Sequence, residues 1–184
     1  ANTKSGFSII TYTGNGSAGA TIGHSLSAKP DLIFTKRRSS SQTWGVYHSA
    51  LGATKYLALN SNAGAGTDST FWNNTEPTDS LITFGTEGRV NQNSGTYVAY
   101  AWHNVDGYSK FGIYEPNTDN DGPFVYTGFR PRMVFIKMTA AGDGWGVWDT
   151  ARSTSNVMDD FLRWDSANAE TTGTAYLLYF IILY

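Results

Sequence analysis

Apolar and polar residues alternate along this chain in short runs broken by Gly, Asn, Asp, Ser and Pro. Phe7 to Tyr12 alternates and closes on Gly14-Asn15-Gly16, a turn signal. Leu32 to Lys36 is a short apolar run after Pro30, and Trp44 to His48 follows the polar loop Arg38 to Thr43. Similar runs near 55–59, 69–72, 80–85 and 97–103 predict further strands. So do 108–114, 123–127, 132–137, 145–149, 161–164 and 175–183. Strands recurring every ~8–14 residues point to a sandwich or barrel. Thr96 to Trp102 places Tyr97, Ala99 and Ala101 on one face and Val98, Tyr100 and Trp102 on the other, the pattern of a strand covered on both sides. Only Ser155 to Leu162 offers a helix, of one or two turns.

The apolar pattern repeats. Gly6-Phe7-Ser8 returns as Gly107-Tyr108-Ser109, Pro30-Asp31-Leu32-Ile33-Phe34 as Pro131-Arg132-Met133-Val134-Phe135, and Trp44-Gly45-Val46-Tyr47 as Trp145-Gly146-Val147-Trp148. All three lie at an offset of 101. Tyr56-Leu57-Ala58-Leu59-Asn60-Ser61 aligns with Phe161-Leu162-Arg163-Trp164-Asp165-Ser166 after four extra residues, placed in a loop around 151–160. The repeated positions are core and turn residues, and no His, Ser or acid constellation repeats. The predicted fold is therefore all-β: antiparallel sandwiches from two tandem repeats, 1–105 and 106–184, packed on one another. The second copy lacks counterparts of Leu81 to Gly85 and Thr96 to Trp102, and it runs instead into an apolar tail, Leu177 to Tyr184.

Composition sharpens this picture. Charged residues make up 15% of the 184, against a usual ~25%, so Ser, Thr, Asn and Gly must supply the polar surface. Net charge is −2, without the basic excess of a general nucleic-acid binder. Lys36-Arg37-Arg38 is three residues long and reads as a solvated strand end. Cysteine is absent, which excludes disulfides, thiolate catalysis and Cys-ligated metals. The longest apolar run, eight residues, falls far short of the ~20 a membrane helix needs, so membrane insertion is not expected.

Candidate chemistry is sparse. His24, His48 and His103 lie outside any Gly-x-Ser-x-Gly elbow and read as strand-edge hydrogen bonders. His48 aligns with Asp149, a polar strand end rather than a general base. The acids fall mainly in turns, not in the facing pair a glycoside hydrolase requires. Asn117, Asp119 and Asp121, followed by Gly122, resemble the opening of a calcium loop, but its twelfth position is Gly128. An Asx-rich turn is the simpler reading, and no cofactor is expected beyond that calcium alternative. Phe71, Trp72, Asn73 and Asn74 set aromatics beside amides, as a sugar platform does, and are the candidate ligand contacts. The competing reading makes Phe71 and Trp72 core and Asn73-Asn74 a turn.

Several of these motifs act together. Gly6-Phe7-Ser8-Ile9-Ile10-Thr11-Tyr12-Thr13-Gly14-Asn15-Gly16, Thr21-Ile22-Gly23-His24-Ser25-Leu26, Lys29-Pro30-Asp31-Leu32-Ile33 and Phe71-Trp72-Asn73-Asn74-Thr75 form one set. Gly122-Pro123-Phe124-Val125-Tyr126-Thr127-Gly128-Phe129-Arg130-Pro131 joins it. The set resembles a repeat in structural and tail-fibre-like proteins of marine bacteriophages, over about residues 6 to 176. That resemblance implies concanavalin-like β-sandwich material at a virion surface, and it carries no catalytic or binding residues. The expected role is a non-enzymatic structural or adhesion module. Its expected partners are further copies of itself, other virion proteins or host-surface glycans. The alternatives are a bacterial extracellular filament or adhesin subunit at the cell surface, with 177–184 donated to a neighbour as a strand, and a fibre-borne polysaccharide depolymerase.

Overall fold

The alternation of the first half builds one antiparallel sheet in the computed structural model, which describes residues 1–117, 122–140, 142–155 and 158–173. Its strands are β1 (Phe7–Thr13), β3 (Leu32–Arg37), β4 (Gly45–His48), β5 (Lys55–Ala58), β6 (Gly66–Thr67) and β8 (Thr96–Trp102), ordered β1-β8-β3-β4-β5-β6. Register places Ser8, Ala101, Ile33 and Tyr47 in one row, and Ile10, Ala99, Thr35, Gly45 and Ala58 in another two residues along. These rows share a face, because side chains alternate with period two. Six of these nine residues are small (Ser8, Ala101, Ala99, Thr35, Gly45 and Ala58), and large rings sit on the face. A Cβ on Gly45 would lie 2.7 Å from the Thr35 hydroxyl oxygen and 3.2 Å from Val90.

The cover over that face comes from β2 (Ala20–Gly23) paired with β7 (Leu81–Phe84), and from two single-turn helices, α1 (Ser69–Trp72) and α2 (Gly88–Asn91). Phe71, Trp72, Ile82, Phe84 and Val90 from these elements, and Leu26 from the loop after β2, pack onto Ile33, Tyr47 and Ala101, and all are at most 1% exposed. The result is a sandwich-like, mainly β layering. Residues 69–72 are thus helical where alternation predicts a strand. Asp68 caps the turn, its carboxylate accepting from the Thr70 amide at 2.8 Å, and Asn73 and Asn74 end it at positive φ.

A second, three-stranded sheet orders as β11-β10-β9: β9 (Met133–Lys137), β10 (Trp145–Asp149) and β11 (Leu162–Arg163). Its pairing coincides with that of β3-β4-β5. Leu32 faces His48 and Met133 faces Asp149; Gly45 faces Ala58 and Gly146 faces Arg163. These are the sequence offsets, 101 and 105. The loops follow too. The Trp44 amide donates to the Asn60 side chain and the Trp145 amide to Asp165, at 3.0 and 2.8 Å. The Ala50 amide donates to His48 Nδ1 and the Ala151 amide to Asp149 Oδ1, at 3.1 and 3.0 Å. His48 and Asp149 therefore do one job, capping the turn after the strand. Tyr56 pairs with Gly66, and Phe161 with Thr171, at the same spacing.

The two sheets meet through aromatic rings. Trp145, 6% exposed, packs with Phe34, Val46, Leu57 and Leu59, and its indole N–H donates to the Ala58 carbonyl at 2.9 Å. The Ala65 amide donates to the Thr139 carbonyl at 2.7 Å.

Beyond the meander the two halves differ. Residues 108–114 and 123–127 carry strand composition, yet neither segment forms a strand. In the first half β1 is held by β8; among the described residues nothing offers 108–114 such a partner. The helix predicted over 155–162 is not formed at residues 155 and 158–162, where Phe161 instead bridges to Thr171 and Leu162 opens β11. The predicted strand 175–183 lies outside the described residues.

Candidate functional site

Of the candidate ligand contacts Phe71, Trp72, Asn73 and Asn74, the two aromatics are not at the surface, whereas Asn73 is half-buried and Asn74 exposed. Phe71 and Trp72 are 0% and 1% exposed. Phe71 stacks on Tyr56 with ring centroids 3.9 Å apart, and the Arg89 guanidinium lies 4.3 Å from the Phe71 centroid. Their job is core packing, and Asn73 and Asn74 make the turn behind them. Composition could not separate these readings; the Asp68 cap, which turns both rings inward, does.

The accessible aromatic surface lies on the opposite face of the large sheet. Phe7 and Trp102 face one another across β1 and β8 and stack with centroids 5.0 Å apart. Trp102 meets Phe34 edge-on at 5.1 Å, Phe34 meets Trp164 edge-on at 6.1 Å, and Trp164 stacks on Phe135 at 4.6 Å. This continuous band of five rings runs from β1 of the first sheet to β9 of the second. Tyr100 and Trp44 extend it sideways, 6.2 Å apart. Phe34 is buried, Phe7, Tyr100, Trp102 and Trp44 are half-buried, and Trp164 and Phe135 are 48% and 43% exposed. Ile9 and Met133 flank the band and are exposed. Lys36 shares the row of Thr11 and Val98 at its margin. One part of this was legible: the alternation of Thr96 to Trp102 separates Tyr100 and Trp102 from the core face. The rest was not, because residues 7, 34, 135 and 164 become neighbours only through strand order and the contact between the sheets.

The polar groups elsewhere in the molecule hold the scaffold. Glu76 accepts from the Tyr47 hydroxyl at 2.5 Å, the Ala53 amide at 2.7 Å and the Lys29 ammonium at 2.9 Å. Burial pushes its pKa up, but those three donors together hold it below the usual carboxylate range. Tyr47 is pushed up by burial and by the carboxylate it serves. Burial likewise favours Asp149 neutral, but backbone donation and charge from Arg152 leave it lowered. Asp31 accepts from the Ser49 hydroxyl and the Asn104 amide, tying β3 to the segment after β8. All three histidine rings bond backbone: His24 with Thr78 and Leu26, His48 with Ala50, and His103 with Asn104. Arg163 pairs with Asp143, and Arg152 with Asp149 and Glu170.

Of the calcium-loop residues, Asn117 is exposed and outside any strand or helix, while Asp119 and Asp121 lie outside the described residues. Among the described residues no group of three or more His, Asp or Glu side chains is placed to hold a metal. No helix among them is long and apolar enough to cross a membrane.

A family model described as a domain of unknown function (DUF7483) matches residues 1–181. The chain belongs to that family. No curated protein and no solved structure matches it.

Proposed function

We propose that this family member is a non-enzymatic structural and contact module of a bacteriophage particle, touching host-surface glycans or neighbouring virion proteins. The single observation that carries the contact role is the aromatic band Phe7–Trp102–Phe34–Trp164–Phe135. Monomeric surfaces rarely leave long contiguous apolar strips uncovered, and those that do mark binding sites. Aromatic rings beside hydroxyl and ammonium groups suit the apolar C–H faces and hydroxyl fans of sugars. The virion setting rests on the sequence resemblance, the absence of cysteine and the low charge.

A glycan array and adsorption to host cells test the reading. Trp164 is half-exposed, so Trp164→Ala should leave the fold intact while weakening binding about tenfold, corresponding to ~1.4 kcal/mol. A folded protein that binds no glycan and no cell surface, or a Trp164→Ala variant that binds as tightly as the parent, would refute the glycan contact.

A further inference from the structure

Among the described residues the second sheet has an open edge, and the first sheet shows what kind of strand fits it. In the first sheet β3 pairs on one side with β4 and on the other with β8, from Leu32 opposite Trp102 to Arg37 opposite Tyr97. In the second, β9 pairs with β10 in the same register, and among the described residues its other edge has no partner. The surface shows the deficit. Of the twelve large apolar residues that stand exposed among the described residues, ten follow residue 105, among them Met133, Phe135 and Tyr126. Among the described residues the buried Trp148 indole N–H has no acceptor, at the position where the Tyr47 hydroxyl finds Glu76. Trp72 shares that condition in the well-covered half, so the orphan is no diagnosis alone.

A β8-like sequence does exist further along. Gly95-Thr96 returns as Gly173-Thr174, and the alternation after it returns as well. Tyr97, Ala99 and Ala101 correspond to Ala175, Leu177 and Tyr179; Val98, Tyr100 and Trp102 correspond to Tyr176, Leu178 and Phe180. Both sets are apolar, as in a strand covered on two sides. The offset between halves falls from 105 to 78, a shortfall of 27 residues that removes counterparts of α1, β7 and α2.

That shortfall decides who can use the strand. Thr171 is fixed beside Phe161, and the row continues through Trp148 and Val134 to the open edge. The open edge is four strand spacings away, ~19 Å at ~4.8 Å each. In the β8-like register the four residues from Thr171 to Ala175 span at most ~14 Å. The chain therefore cannot place this strand on its own β9 in that register; the first half bridges the same gap with the thirty residues 67–96, including α1, β7 and α2. We propose that residues 174–180 of one molecule add as an antiparallel strand to the β9 edge of a second copy of this chain, with Phe180 opposite Met133. An exposed strand edge accepts such an addition through main-chain hydrogen bonds. The proposal stands whether or not the aromatic band binds a glycan.

The chain contains no cysteine, which makes the test direct. Cβ atoms of directly opposed strand residues lie ~4.5–5.5 Å apart, within disulfide reach after slight adjustment. Met133→Cys and Phe180→Cys proteins are purified separately, mixed and oxidised. The expected product is a disulfide-linked dimer of twice 20.1 kDa, formed by the mixture and not by either protein alone. In the parent chain, deleting 174–184 should reduce the mass in light scattering from an oligomer to a monomer. No cross-link in the mixture overturns the proposal. So does a Met133→Cys, Phe180→Cys double variant that closes only within single molecules, or a deletion that leaves the oligomer unchanged.

Discussion

The meanders β3-β4-β5 and β9-β10-β11 share a register, their loop hydrogen bonds and the position of the turn-capping side chain, yet among the described residues only one is roofed. Over the first lie β2, β7, α1 and α2, and on its flank lie β8 and β1. Over the second the described cluster is Trp148, Met158 and Phe161, with Ile136 against it. The difference teaches that strand pairing within a meander is set locally, by the hairpins and their caps. Burial is set by what the rest of the chain brings to it. Tyr108, the counterpart of Phe7, makes this concrete: Phe7 stacks on Trp102, whereas Tyr108 is 63% exposed.

The comparison is broken most severely through the roof. Trp72→Ala should cost about 3–5 kcal/mol in denaturant unfolding, because a fully buried ring leaves a cavity. Trp164→Ala, at a half-exposed ring, should cost under about 1 kcal/mol. Similar losses at both would mean the two halves are equally buried. Trp145→Ala comes next, at about 3 kcal/mol, since it removes the ring between the sheets and strands the Ala58 carbonyl. Limited proteolysis should then cut between 131 and 173 before it cuts within 1–105. Cleavage that starts in the first half would contradict that order.

Glu76 sharpens the comparison from the other side, because it links the roof to Tyr47. Glu76→Ala leaves the Tyr47 hydroxyl and the Ala53 amide without their acceptor and should cost about 1–3 kcal/mol. The smallest effect is in pH. Glu76 and Asp149 have lowered folded pKa values, so the unfolded chain binds more protons in acid. Their contribution is complete above the ordinary carboxylate range, near pH 4, and is lost as pH falls from there through the lowered folded values. Thermal melts of Glu76→Gln, Asp149→Asn should therefore show a shallower loss of stability below pH 4 than the parent. An unchanged acid slope would remove both groups from the account.

Most strands were legible because a period of two survives wherever one face is buried, as in Phe7 to Tyr12 and Thr96 to Trp102. Ser69-Thr70-Phe71-Trp72 misled because a β-branched and aromatic run has strand composition; the overlooked signal was Asp68, a helix cap one residue earlier. Residues 108–114 misled for the opposite reason: strand composition forms no strand without a neighbour to pair with. The contact surface was the least legible part. An aromatic beside a polar turn residue, Asn73 after Trp72 or Asp165 after Trp164, reads alike as platform or as core, and only packing separates the two.

Hydrogen exchange on the monomer, read amide by amide at low concentration, tests the central claim most directly. Amides shared by β3 and β8 should exchange at least about a hundredfold more slowly than those of β9 and β10, since a roofed, doubly flanked strand opens only with the whole domain. Equal protection of β9 and β3 in the monomer would contradict the claim that alike meanders differ in their cover.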